Sequence, residues 1–178
     1  MDEVLFVAPP LTIYRTPNGW VYSSFTGMDG KANDETVAIV PYRHTDGESQ
    51  ILIYAQEVPA WGKGMYVTSI TGAVDEKDES IYHAAARELY EESGYRVDSW
   101  DPQESLVFVG RYKQGKATNT TVSVFTVDLT GYPDPEKPTG DGSEFEDRAQ
   151  AFWNDVRQLI DDEGYDMPLA LVVSKYFE

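Results

Sequence analysis

Two kinds of apolar spacing divide the chain. From Ser80 onward, Ile81, Ala84, Ala85 and Leu89 fall at helical spacing, with Ser80 placed for an N-cap and Gly94 for a stop. That predicts a helix of roughly three to four turns. Elsewhere the apolar residues come in short β-rich runs. TVAIVPYR at 36–43 and QILIYA at 50–55, separated by a polar stretch holding Asp46-Gly47, predict adjacent core strands. A loop at 56–64, QEVPAWGKG, leads into a strand expected from Tyr66 to Ile70. Leu11 to Arg15 and Trp20 to Phe25, joined at Pro17-Asn18-Gly19, predict a small hairpin. Ser105 to Tyr112 and Thr120 to Leu129 read as strands around a polar loop. Residues 131–144, GYPDPEKPTGDGSE, predict a mobile loop with no core of its own. Phe152-Trp153 closes a last strand, a helix runs from Asn154 to Glu163, and Pro168 opens a terminal helix with its apolar face on the sheet. Strands on both sides of a central helix, with a helical C-terminus, make this an α/β sandwich.

At 178 residues, 41% of them hydrophobic, the chain suits one well-cored domain. Residues 1–35 are expected to form a hairpin extension and 36–178 the main body of that domain. The net charge of −17 disfavours nucleic-acid and anionic-membrane partners, because phosphate surfaces demand Lys and Arg. An acidic protein still binds an anionic nucleotide when metal ions stand between the two sets of charges. With no cysteine there is no disulfide, thiolate metal site or cysteine nucleophile. MDEVLFVAPP has an acidic start and a short apolar run, unlike a signal peptide or a membrane span, so a cytoplasmic location is expected. Only His44 and His83 are available for histidine chemistry, and both are read as ordinary surface or helix residues.

On the predicted helix Glu88, Glu91 and Glu92 stand at i, i+3 and i+4, on one face. Three carboxylates so placed repel one another unless something positive joins them, and a hard divalent cation such as Mg²⁺ or Mn²⁺ takes oxygen ligands of this kind. A solvated acidic face fits the spacing equally well. Arg87 and Glu79 are expected to pair and orient the cluster.

Residues 72–95, GAVDEKDESIYHAAARELYEESGY, resemble the Nudix box: Gly, five residues, Glu, seven residues, then Arg-Glu-apolar-x-Glu-Glu-x-Gly-apolar. Glu79, Arg87, Glu88, Leu89, Glu91, Glu92, Gly94 and Tyr95 fill their places; the first glycine is Ala73 here, with Gly72 just before it. The resemblance implies the Nudix fold, a mixed β-sheet sandwiched between α-helices, with the short N-terminal hairpin added. It implies metals held by the Gly72 carbonyl, Glu88, Glu91 and Glu92, with Arg87 supporting the chemistry. It also suggests a homodimer.

Residues 36–76 and the later KPTGDGSEFE look like parts of ADP-ribose and ADP-sugar pyrophosphatases, in which a Gly-Asp-Gly loop carries a catalytic glutamate. That match makes Glu144 the candidate for activating water, with Glu146 and then Glu91 as fallbacks, and Trp20 a candidate for adenine stacking. The expected reaction is metal-dependent cleavage of a nucleoside diphosphate linked to X, giving AMP and a phosphorylated sugar. Several positions depart from that subfamily: Gln56-Glu57-Val58-Pro59 lacks its arginine, Thr68 or Ser69 replaces a Glu, and Gln114-Gly115 lacks its proline. Tyr112, seventeen residues beyond Tyr95, fits the tyrosine spacing of dinucleoside polyphosphate hydrolases and is the second substrate-binding candidate. Dinucleoside polyphosphates, NADH and a non-catalytic nucleotide-binding regulator are the alternatives.

Overall fold

The computed structural model describes residues 1–8, 11–25, 33–58, 61–97, 101–140, 149–160 and 165–177. Its centre is strand β4 (Glu35–Thr45), whose residues Val37, Ala38, Ile39 and Val40 are all fully buried. Successive strand side chains point to opposite faces, so a strand buried along its length must be covered on both. Val37 and Ile39 pack with Leu52, Phe125 and the helix residues Ala84, Ala85 and Leu89. Ala38 and Val40 pack with Ile51, Ile53, Val124 and the C-terminal residues Leu159, Leu169, Val172 and Val173. The sheet therefore lies between α1 (Ile81–Ser93) on one face and α2 (Val156–Ile160) with α3 (Met167–Tyr176) on the other. This is the expected mixed sheet between helices.

Strand order in the main path is β10 (Gln150–Asp155), β5 (Glu48–Glu57), β4, β9 (Thr121–Asp128), β8 (Val107–Lys113). Only β4 and β9 run parallel. The C-terminal half of β4 pairs with β5, from Tyr42↔Ile51 to Thr45↔Glu48, while its N-terminal half pairs instead with β7 (Ile70–Ala73), from Thr36↔Ala73 to Ile39↔Ile70. The far end of β5 pairs with β6 (Met65–Thr68). One strand was expected from Tyr66 to Ile70; the structure breaks it at Ser69, where the chain passes from β5 to β4. The split leaves β7, with Gly72, on β4 and β6 on β5.

Asp166 fastens the break. Its Oδ2 accepts from the Ser69 backbone N–H at 2.9 Å and the Ser69 hydroxyl at 2.6 Å, while Oδ1 accepts from Leu169 N at 3.1 Å and so caps α3. The helix thus begins at Met167 behind an acidic cap, with Pro168 inside its first turn. Burial pushes the Asp166 carboxyl above its ordinary range, against the pull of the Ser69 and Leu169 donors. Asp166→Ala strands those donors in a partly buried place and is expected to cost about 2–3 kcal/mol. A thermal melt indistinguishable from the parent would contradict this role.

The expected N-terminal hairpin forms as β2 (Leu11–Arg15) paired with β3 (Val21–Phe25), and β1 (Glu3–Ala8) adds a third strand to make a separate sheet. Val4, Phe6 and Val7 of β1 are 53, 57 and 58% exposed, so no buried-and-exposed alternation marked that strand in the sequence. Asp34 ties this sheet to the β8–β9 connection, accepting from Ser24 Oγ at 2.9 Å, Phe25 N at 3.1 Å and Asn119 Nδ2 at 2.7 Å. Among the described residues no helix is long and apolar enough to cross a membrane.

Candidate active site

Helix α1 is built as its sequence predicts. Ser80 is extended (φ −159°, ψ 169°) and its hydroxyl accepts from His83 N, and Gly94 ends the helix in the left-handed region at φ 75°. The apolar stripe Ala84, Ala85 and Leu89 faces the sheet, and Glu88 lies in that same buried stripe at 8% exposure. A carboxylate fits there because the strand beneath offers no side chain. A Cβ placed on Gly72 would lie 1.9 Å from Glu88 Cδ. Gly72, not Ala73, is the position that must be glycine. Ala73 is not among the residues with positive φ, so an alanine sits there without strain.

The positive charge among the carboxylates belongs to Arg87. Its Nε and Nη2 grip Asp78 at 3.1 and 2.9 Å, Nη2 also donates to the Ala73 carbonyl at 2.9 Å, and Nη1 donates to Glu88 at 2.7 Å and Glu91 at 3.0 Å. All the donors of the guanidinium fork are engaged. The predicted Arg87–Glu79 pair does not form. Glu79 is one residue too late in the turn: its side chain is 84% exposed, and its neighbour is His83 at 3.9 Å. Asp78 takes the place, held by a turn in which Asp78 N donates to Asp75 O at 3.0 Å and Asp75 N donates to Asp78 Oδ2 at 2.8 Å. Neither Asp75 nor Asp78 was singled out from the sequence, since acids outside the helical period carry no spacing signal.

Burial sets the electrostatics. It pushes the Glu88 carboxyl up to about 7 against the pull of Arg87, with Glu91 and Asp75 adding to the rise. Burial also raises Asp78, but the hydrogen bonds and charge of Arg87 more than offset it, leaving Asp78 below its ordinary value. Arg87 is likewise opposed by burial, and Asp78 and Glu88 raise it further above its ordinary value.

Gly72, Ala73 and Asp75 form one part of the wall of a cavity of about 930 Å³. The volume suits a ligand of nucleotide size. Phe25, Trp61, Tyr112 and Tyr165 give it aromatic surface, and Asn33, Gln56, Thr68, Thr71 and Gln114 give it neutral polar groups. Tyr112, predicted to bind substrate, is on this wall, and burial with the nearby Asp166 charge raises its hydroxyl well above the usual range. Trp20 is elsewhere. It sits 53% exposed beside the β2–β3 turn and is not one of the lining residues. Trp61, in the loop after β5, lines the cavity instead, its carbonyl accepting from Tyr66 Oη at 2.9 Å. Glu144 and Glu146 lie outside the described residues.

The NUDIX domain family model matches residues 33–171. The chain belongs to the Nudix family. As a Nudix hydrolase it shares its fold with solved structures of low identity. An ADP compounds hydrolase matches at 22% identity over 98% of this chain and 90% of that one, with a TM-score of 0.62. The NUDIX domain of Shewanella oneidensis NrtR, complexed with ADP ribose, matches at 14% over 80% and 85%, TM-score 0.60. A C. elegans Ap4A hydrolase matches at 19% over 78% and 91%, TM-score 0.51. No curated protein sequence matches the chain.

Nudix hydrolases as a class use divalent metals. Among the described residues no three of His, Cys, Asp and Glu stand together as a finished metal cage. The donor chemistry nevertheless fits a hard cation. Glu88 and Glu91 each give one oxygen to Arg87, Glu92 follows on the same turn, and the Ala73 carbonyl accepts from the same guanidinium.

Proposed function

We propose that this Nudix hydrolase cleaves the pyrophosphate bond of a nucleoside diphosphate linked to X, with ADP-ribose or an ADP-sugar first among substrates. The observation carrying this is the junction at Gly72: an Arg87-braced set of carboxylates abuts the strand that walls a nucleotide-sized cavity. Its aromatic and neutral polar lining, with the acids Asp75 and Asp166 and no Lys or Arg among its described residues, suits a base and a sugar better than a chain of further phosphates. The NrtR domain holding ADP ribose and the ADP compounds hydrolase support the same reading. Tyr112 on the wall and the fold match to the Ap4A hydrolase favour dinucleoside polyphosphates as the second reading.

Glu88, Glu91, Glu92 and the Gly72 carbonyl would hold Mg²⁺ or Mn²⁺. Bound there, the ion would neutralise the diphosphate, acidify water and stabilise the leaving oxygen. Arg87 orients Glu88 and Glu91 and keeps Asp78 and the Ala73 carbonyl in register with them. Tyr112 and Trp61 orient the nucleotide. The Glu144 carboxylate takes the proton of the attacking water. The apolar side chains exposed on β1 support assembly as a homodimer, and a cytoplasmic location suits the substrate.

Initial rates with ADP-ribose, ADP-glucose, NADH and a diadenosine polyphosphate, in Mg²⁺, Mn²⁺ or chelator, test the reading. AMP and a phosphorylated sugar should form only with metal; equal rates in chelator would sink it, and preference for the diadenosine compound would select the second reading. Glu144→Gln should lower kcat by about 10²–10⁴-fold with little change in nucleotide affinity, and Glu146→Gln should do little. If both variants behave alike, the proton acceptor is not Glu144.

A further inference from the structure

Glu91 and Glu92 occupy the last turn of α1, and the last turn of a helix is its weakest part. Its final carbonyls have no partner within the helix, and such ends open locally at little cost. Here the turn is closed from outside. Gly94 N donates to Tyr90 O at 2.8 Å, and the next carbonyl, that of Glu91, accepts from Gly140 N at 2.9 Å. The stretch 131–144, which composition predicted to be a mobile loop, is therefore docked on the helix end at Glu136 and Gly140. Glu136 N donates to Gly94 O at 3.0 Å. Glu136 Oε2 accepts from Tyr90 Oη at 2.7 Å and faces Arg96 Nη2 at 3.7 Å, while the Arg96 guanidinium lies 4.0 Å from the centre of the Tyr90 ring. The approach is close enough to forbid a side chain at Gly94, whose Cβ would lie 1.8 Å from Glu136 O. Gly94 thus serves both the left-handed turn and the contact.

We propose that the segment Glu136–Gly140 is a positioning strap that holds the last turn of α1 in the geometry Glu91 and Glu92 need to bind a divalent cation. The proposal rests on the reading of those carboxylates as metal ligands. Tyr90, Glu136 and Arg96 act through the helix end and touch neither metal nor nucleotide. Groups that orient metal ligands in this way typically alter metal affinity or activity by about 10–100-fold when lost, and a single solvent-exposed hydrogen bond such as that of Tyr90 to the Glu136 carboxylate lies at or below the lower end.

The full-length protein is compared with Tyr90→Phe, which deletes one hydroxyl and keeps the ring beneath Arg96, and with Glu136→Ala. Amide hydrogen exchange without metal and Mn²⁺ binding by electron paramagnetic resonance are the readouts. Exchange of the amides from Glu92 to Tyr95 should quicken by about 10-fold, and Mn²⁺ should bind about 5–10-fold more weakly. Raised Mn²⁺ should restore kcat, with KM for the nucleotide unchanged at saturating metal. Exchange and Mn²⁺ affinity both within 2-fold of the parent would overturn the strap, and so would faster exchange with unchanged Mn²⁺ affinity, which would make the contact merely structural. A parent protein that binds no Mn²⁺ would sink the metal reading and the strap's purpose with it. Parent binding that the variants leave untouched would sink the strap alone.

Discussion

Arg87→Met is expected to lower folding stability by about 3 kcal/mol without metal, and saturating Mg²⁺ should recover part of that loss. The guanidinium is the shared partner of Asp78, Glu88 and Glu91, and its side chain is only 18% exposed. Methionine keeps much of the stem volume but removes the cation that three neighbouring acids share, and breaking a buried ion pair on one side typically costs about 3–5 kcal/mol. The lower end of that range applies because Glu91 is partly open to water. Glu88 can also take up a proton, since burial already holds its carboxyl at about 7. For the same reason the loss should depend on pH. The native state prefers the protonated Glu88, so the stability this supplies is complete below the ordinary carboxylate value and is lost as pH rises through about 7. Without Arg87, which holds the Glu88 carboxyl down, that decline should continue to higher pH. Chemical denaturation from pH 5 to 8, with and without Mg²⁺, measures both effects; a variant as stable as the parent at pH 8 without metal would mean that Arg87 does not hold the cluster together.

Gly72→Ala should reduce kcat by about 10²-fold or more, whereas Ala73→Gly, which restores the family pattern, should change it little. The two positions are adjacent but physically unlike. A methyl group on Gly72 would occupy the space of the Glu88 carboxyl, with Cδ at 1.9 Å and the oxygens at 2.0 and 2.2 Å. The helix must then shift or Glu88 must turn away, and either removes a charged group from its working place, a loss on the scale of one well-aimed electrostatic contact. Overpacking adds about 1–3 kcal/mol of destabilisation. At Ala73 only strand entropy changes, for a cost of about 0.5–1 kcal/mol. Steady-state rates at saturating metal, read beside thermal melts, separate the two. If Gly72→Ala keeps near-parent kcat, Glu88 does not act from the position it occupies against β7.

Much of this was visible before folding. Continuous apolar runs marked β4 and β5, because burial on both faces demands apolar residues at every strand position; alternating runs marked β8 and β9; and one helix stripe demands apolar residues at every third or fourth position in α1. Ser80 and Gly94 marked the ends of α1 because capping is local chemistry. The box acids showed through their spacing, which helical geometry converts directly into a shared face. Tyr95, counted as apolar, is 7% exposed in the core on the α1 side.

Other features had no local signature. Asp78 rather than Glu79 meets Arg87 because a turn between Asp75 and Asp78 aims it there. The break of the expected 66–70 strand at Ser69 depends on Asp166, nearly a hundred residues later. Residues 131–140 read as loose because their own composition supplies no core; their order comes from the exposed end of α1, to which they lend hydrogen bonds. Trp61 lines the cavity and Trp20 does not, although both are loop-side tryptophans in the sequence.

The amino-acid sequence alone determined the helix with its caps, the apolar core strands and the row of acids, because each depends on neighbours within a turn or two. Only the tertiary structure decided which acid pairs with Arg87, which glycine must lack a side chain, and what closes the helix end. Those outcomes depend on distances between segments far apart in the chain, and no local period encodes them.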